Sequence, residues 1–152
     1  MFYVCKRFSF DAGHRLLAHP ELCRHPHGHT YQLEVVLAAE ELDENAMVCD
    51  YKALSMIVKA TLAKFDHAMI LNRRDPLCSV LSAQGERLVV LDDEPTAEVL
   101  AKLLFTQLNT AFADAAANAS LVAPYRWRRD CQLVSVRVWE TPKTWAEYRV
   151  AP

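Results

Sequence analysis

Residues 30–39, TYQLEVVLAA, alternate with a period of two. Tyr31, Leu33, Val35 and Leu37 fall on one face and Gln32 and Glu34 on the other, the pattern of a half-buried strand. Toward the N-terminus, residues 2–10 (FYVCKRFSF) mix aromatic, β-branched and polar side chains and read as a second strand. The polar loop between them, residues 15–26, holds Pro20 and Pro26, and strands joined this way are expected to pair antiparallel.

Toward the C-terminus the period changes. Over residues 51–65, Leu54, Ile57, Val58, Leu62 and Phe65 recur at helical spacing, with Asp50 placed as N-cap. A second helix is predicted over 97–116, opened by Pro95-Thr96 and striped by Leu100, Leu103, Leu104, Gln107, Leu108 and Phe112. Residues 131–140 (CQLVSVRVWE) read as a strand with Val134, Val136, Val138 and Glu140 on one face. A last strand, 145–150, follows a turn at Thr141-Pro142. Residues 72–94 are the least regular part, with GERLVVL, 85–91, readable as a small extra strand. The order β-β-α-α-β-β predicts an α+β fold: a four-stranded antiparallel sheet with two helices on one face, in one domain spanning 1–152.

A chain of 152 residues suits one domain and is too short for two ordinary ones. With 52% hydrophobic and 24% charged residues it is no disordered or low-complexity chain. A net charge of −2 offers no field for nucleic acid or an anionic membrane surface. Only 3 glycines are present, so no Gly-rich phosphate loop can be written. The five cysteines (Cys5, Cys23, Cys49, Cys78, Cys131) are odd in number and never form C-x-x-C, which predicts a reducing compartment. The N-terminus reaches charge early and no run approaches the roughly 18 apolar residues of a membrane span, so a soluble, cytoplasmic protein is expected.

Histidine carries the chemistry. His14, His19, His25, His27 and His29 crowd one short region. On an extended strand His27 and His29 face the same way, with Cα atoms roughly 6.6 Å apart, and can converge on one ion. Gly28 leaves the backbone between them unobstructed. His14 ends the preceding strand, and an antiparallel partner brings it beside the pair. Three histidines without an obvious fourth ligand fit an open, catalytic zinc site. Against this, His-x-His also arises by chance in solvated loops, and His19 and His25, next to prolines, read as surface residues.

Cys23 has three readings: fourth zinc ligand, small buried hydrophobe, or thiolate base beside a cation. Asp66-His67 pairs a carboxylate with an imidazole it could orient, though such a dipeptide also simply ends a helix. Glu140 stands in register with valines, where a carboxylate could accept two parallel N–H bonds from a planar ligand, or else reach solvent at the strand end. Capping alone explains Thr96 and Glu98.

Taken together these residues resemble the family of 6-pyruvoyl-tetrahydropterin and 6-carboxytetrahydropterin synthases. The resemblance spans nearly the whole chain. It rests on Phe8-Ser9-Phe10-Asp11-Ala12-Gly13-His14-Arg15-Leu16, Cys23-x-x-x-His27-Gly28-His29-x-Tyr31, Asp50, Phe65-Asp66-His67-x-x-x-Leu71-Asn72, Pro95-Thr96-x-Glu98 and Val138-Trp139-Glu140-Thr141. It implies the tunnelling fold, a trimer or hexamer with active sites between subunits, and Zn2+ held by His14, His27 and His29. It implies Cys23 as general base, a relay through Asp66 and His67, and Glu140 anchoring the pterin edge beside Thr96 and Glu98.

The implied substrate is 7,8-dihydroneopterin triphosphate. The short Cys-x-x-x-His-Gly-His spacing resembles the carboxy-forming members of the queuosine pathway, which release acetaldehyde and triphosphate. The alternatives are a pyruvoyl-forming or folate-branch relative, or a non-catalytic zinc protein in which Cys23 is the fourth ligand. Ala97 stands where many relatives carry a hydroxyl, Phe65 replaces a usual leucine, and residues 73–93 exceed the compact relatives in length. Arg15, Lys52, Arg73 and Arg74 are the available cations for a triphosphate.

Overall fold

The computed structural model describes residues 1–150; residues 151 and 152 of the expected 1–152 domain lie outside the described residues. The strands are β1 (Phe2–His14), β2 (His27–Ala39), β3 (Ala68–Asn72), β4 (Leu88–Leu91), β5 (Gln132–Thr141) and β6 (Thr144–Arg149). The helices are α1 (Tyr51–Leu62), α2 (Leu77–Ala83) and α3 (Ala97–Ala117). All strands join one sheet in the order β4-β3-β1-β2-β5-β6.

The β1/β2 and β5/β6 pairs are antiparallel, as expected from the connecting loop and the element order. The four-stranded antiparallel sheet is corrected on the other flank. There β3 lies parallel to β1 and β4 parallel to β3, giving a mixed, six-stranded sheet with a third helix. The reason is physical. β3 reads AMILN and is apolar without alternation, since Ala68, Ile70, Leu71 and Asn72 are all buried, as parallel strands covered on both faces are. α2 spans 7 residues and buries none of them, so it shows no apolar stripe. The strand read in GERLVVL is present as β4.

α1 begins where expected because Asp50 Oδ1 accepts from the Lys52 N–H at 2.6 Å. It turns Ala53, Leu54, Ile57, Val58 and Leu62 inward. α3 starts on Thr96, whose hydroxyl accepts from the Val99 N–H, and packs on β5, β6 and α1. Together with the inner faces of β1, β2 and β5 these helices form one hydrophobic core. On β5 the expected valine face is broken once. Leu133 pairs with Leu37 and Ser135 with Val36, so Val134 is an extra, bulged residue, and the buried face resumes at Val136 and Val138. A second irregularity falls at Glu140: Trp139 pairs with Trp145 and Thr141 with Thr144.

Candidate active site

Strand register assembles the histidines. His14 lies directly opposite His27, and Ala12 opposite His29. Side chains at 14, 27 and 29 therefore emerge on one face, continuing the core row of Phe8, Phe10, Ala12 and Tyr31. Between them Gly13 pairs with Gly28, and a Cβ on Gly28 would stand 3.1 Å from the Ala12 carbonyl oxygen. Glycine is thus required there by the close approach of the two backbones.

Second partners fix the rings. His14 Nδ1 lies 2.8 Å from the Pro95 carbonyl oxygen, and His27 Nδ1 lies 2.8 Å from that of His25. A carbonyl only accepts, so each neutral ring carries its proton on Nδ1 and leaves Nε2 bare. The two Nε2 atoms stand 3.1 Å apart. Burial pulls His14 down to about 4, against the pull of the Pro95 carbonyl, with repulsion from His27 and His29 adding to the drop. Burial and His27 likewise lower His29. With both rings neutral, two bare Nε2 acceptors face each other with no proton between them, an arrangement a cation resolves. Ligand atoms of His14, His27 and His29 lie within 4.8 Å of one another. A tetrahedral zinc with Zn–N near 2.0–2.1 Å needs its nitrogens about 3.3 Å apart. The donor set fits zinc.

Glu140 closes one side, its Oε1 3.8 Å from His14 Nε2. It is half-buried, and its carboxyl is raised above the usual range, first by burial and then by the negative charge of Glu98, with His27 opposing. The bulge at Glu140 aims it toward a cleft of about 700 Å³ lined also by Arg7, Gly28, His29, Gln32 and Trp139. Behind it, the buried hydroxyl of Tyr31 has no partner among the described residues. Thr96 caps α3 and Glu98 stands exposed in its first turn.

A second cleft, about 740 Å³, shares His27, Gly28 and His29 and extends to His67 and Arg87. On its wall Asp66 Oδ2 lies 3.1 Å from His67 Nδ1. Asp66 is held below the usual carboxylate range, first by the Asp11 N–H and then by His67. Asp11, Asp66 and His67 form a compact cluster, with the Thr30 hydroxyl donating to Asp11 Oδ1 at 2.5 Å.

Cys23 stands apart. It sits half-exposed in a 3-10 turn, Leu22–Arg24, and is not part of the three-histidine cluster. Of the cations offered for an anionic tail, Arg15 is taken by buried Asp75, through Nε at 2.6 Å and a second bond from Nη2. Arg73 pairs with Asp92 at 2.6 Å. The sequence reading missed Asp75, Glu94 and Arg87, which reach the site's surroundings from the irregular 72–94 segment, Asp75 through the Arg15 side chain and the other two through backbone. Glu94 Oε2 accepts from the Leu17 N–H at 2.6 Å, three residues past His14. Nothing in local pattern marks these residues; a concentration of charge in a segment without periodicity is the only signal.

Comparison with known proteins points to one family. Residues 3–151 match the family model described as 6-pyruvoyl tetrahydropterin synthase. A 6-carboxy-5,6,7,8-tetrahydropterin synthase from Haemophilus influenzae is 30% identical over 157 aligned residues, covering 98% of this chain and 99% of its own. One of the same name from Rickettsia bellii is 36% identical over 104 residues, covering 66% of this chain and 75% of its own. The solved structure of Caenorhabditis elegans 6-pyruvoyl tetrahydropterin synthase superposes with a TM-score of 0.65 at 23% identity, over 99% of this chain and 96% of that one, a likeness of fold. No helix among the described residues is long and apolar enough to cross a membrane.

Proposed function

This chain belongs to the 6-pyruvoyl tetrahydropterin synthase family of enzymes, and on that premise we propose that it converts 7,8-dihydroneopterin triphosphate and water into 6-carboxy-5,6,7,8-tetrahydropterin, acetaldehyde and triphosphate, a step toward queuosine. The relatives named 6-carboxy-5,6,7,8-tetrahydropterin synthase support this branch. The observation that carries the reading is the facing pair of bare Nε2 atoms on His14 and His27, with Glu140 alongside.

His14, His27 and His29 would hold a zinc ion, whose chemistry is to polarise the side-chain hydroxyls and acidify the neighbouring C–H. Cys23 serves as the base that takes that proton, and His67, oriented by Asp66, moves a proton to or from the side-chain oxygens. Glu140 accepts N–H bonds from the pyrimidine edge of the pterin, with Thr96 and Glu98 next to it. Cys23 lies outside the histidine cluster of its own chain, which suits a homo-oligomer, trimer or hexamer, whose sites are completed between subunits. Such an enzyme works in the cytoplasm on a small-molecule substrate.

The test is to incubate zinc-loaded protein with 7,8-dihydroneopterin triphosphate and identify the products by mass. Acetaldehyde with a 6-carboxypterin is expected, and Cys23→Ala should abolish turnover while leaving the melting temperature and zinc content unchanged. A retained three-carbon side chain would move the enzyme to the pyruvoyl or folate branch. Unchanged substrate, with collapse of the fold on both chelation and Cys23→Ala, would make Cys23 a structural ligand instead.

A further inference from the structure

The turn carrying Asp66 and His67 is not at rest on its own. His67 has φ +57°, a left-handed conformation that a residue with a Cβ adopts only where its surroundings impose it. Two bonds to β1 do part of this. The His67 N–H donates to the Asp11 carbonyl at 2.6 Å, and the Asp11 N–H donates to Asp66 Oδ1 at 3.0 Å.

A further hold comes from Arg87. Its Nε donates to the Asp66 carbonyl at 3.2 Å and its Nη2 to the Ala63 carbonyl at 2.6 Å. These oxygens lie just past the C-terminal end of α1, where carbonyls lack helical partners and the helix dipole favours a cation. Arg87 is itself pinned, because its own carbonyl accepts from the Met69 N–H at 2.9 Å, two residues beyond His67. It precedes β4 directly, on the α2 side.

We infer that Arg87 is a positioning residue for the Asp66–His67 pair: by gripping the Ala63 and Asp66 carbonyls it holds the turn in the geometry that puts Asp66 Oδ2 against His67 Nδ1. The α2–β4 segment thereby acts on the chemistry without touching substrate. The kinetic part of this inference rests on the relay role proposed for His67; the geometric part does not.

The test compares full-length, zinc-loaded wild type with Arg87→Ala and Arg87→Lys by two readouts. The first is the imidazole 15N spectrum of His67. In wild type the neutral form of His67 should hold its proton on Nδ1, toward Asp66, and in Arg87→Ala that form should be a mixture of both tautomers. The second is steady-state kinetics on 7,8-dihydroneopterin triphosphate. Arg87→Ala should lower kcat by about 10–100-fold, the scale expected for a misplaced catalytic group, with KM changed less than about twofold. Arg87→Lys, which keeps the charge and one donor, should recover part of both effects.

If Arg87→Ala keeps the wild-type tautomer and kcat and loses only melting temperature, Arg87 is a helix cap and the inference is overturned. If wild type itself does not turn over, the proposed function falls, and the tautomer readout alone decides the inference. Should Arg87→Ala not fold, Arg87→Gln takes its place: a mixed tautomer supports the inference, and the wild-type tautomer overturns it.

Discussion

His27 and His29 of the three-histidine cluster and His67 of the Asp66–His67 turn line one cleft, yet different forces hold the two regions. The histidines sit on two long paired strands whose register is set by an apolar face, Phe8, Phe10 and Ala12 against Tyr31, Leu33 and Val35. Slipping that register by one residue would turn every one of these side chains to the other face, so the core itself protects the cluster. The Asp66–His67 turn is anchored by core residues only at its ends, Phe65 and Ala68. His67 is exposed, its backbone is left-handed, and it is kept in place by Asp11 and Arg87. A ligand cluster can thus inherit precision from a sheet, while a turn needs dedicated side chains from a remote segment.

The largest effects should come from breaking each region at its functional atom. His29→Ala and His67→Ala should each lower turnover by about 10²–10⁴-fold, the range for losing a proton-transfer group or more. Zinc content separates them: His29→Ala should lose bound metal, measured by elemental analysis after gel filtration, and His67→Ala should keep it. Equal zinc loss in both variants would dissolve the distinction between a metal region and a relay region.

A smaller effect should follow from cutting the strut that joins them. Arg15 follows His14 directly, and its partner Asp75, 3% exposed, leads into α2. Asp75 Oδ1 also accepts from the Leu77 N–H at 2.9 Å, so one carboxylate anchors both the strand end and the helix start. Arg15→Ala would strand a buried charge, at a cost of about 3 kcal/mol. For a chain of 152 residues that is about 6–12 °C in melting temperature. A fall below about 2 °C in a thermal melt would show that the strut carries no stability.

The difference between the regions also explains what could be read in advance. Period-two alternation placed β2 and β5, composition placed β1 and a turn placed β6, and the convergence of His14, His27 and His29 followed from pairing β1 with β2. Helical stripes and the caps Asp50 and Thr96 placed α1 and α3. β3 escaped because a strand buried on both faces has no period, and α2 because a short helix that buries nothing has no stripe. Arg87 and Asp75 escaped for a further reason. Their partners, Ala63, Asp66 and Arg15, are chosen by the fold of a segment with no pattern of its own, and pairing at such distance leaves no local trace. The bulge at Glu140 was equally silent, since a bulge is a property of two strands.

The smallest expected effect is a pH dependence that isolates the strut. Asp75 is held below the usual carboxylate range, first by the Arg15 guanidinium, with burial opposing and the Leu77 N–H assisting. A carboxyl depressed in the folded state binds fewer protons there than in the unfolded chain. Its contribution is therefore complete above the unfolded value of about 3.9 and is lost as pH falls through that value toward the lower folded one. Asp66 and Asp130 are depressed as well, so wild type should lose stability on acidification through several groups at once. Asp75→Asn keeps the acceptor for Leu77, removes the titrating charge and turns the oxygen that faces Arg15 Nε into a donor. Urea midpoints from pH 6 to pH 3 should then converge: Asp75→Asn starts below wild type at pH 6, and the gap closes as the wild-type carboxyl takes up its proton. A gap that stays constant across that range would mean the Arg15–Asp75 contact works by shape and hydrogen bonding and not by charge. The segment 73–94 would then be tied to the histidine strand in the same way that Arg87 ties it to the turn.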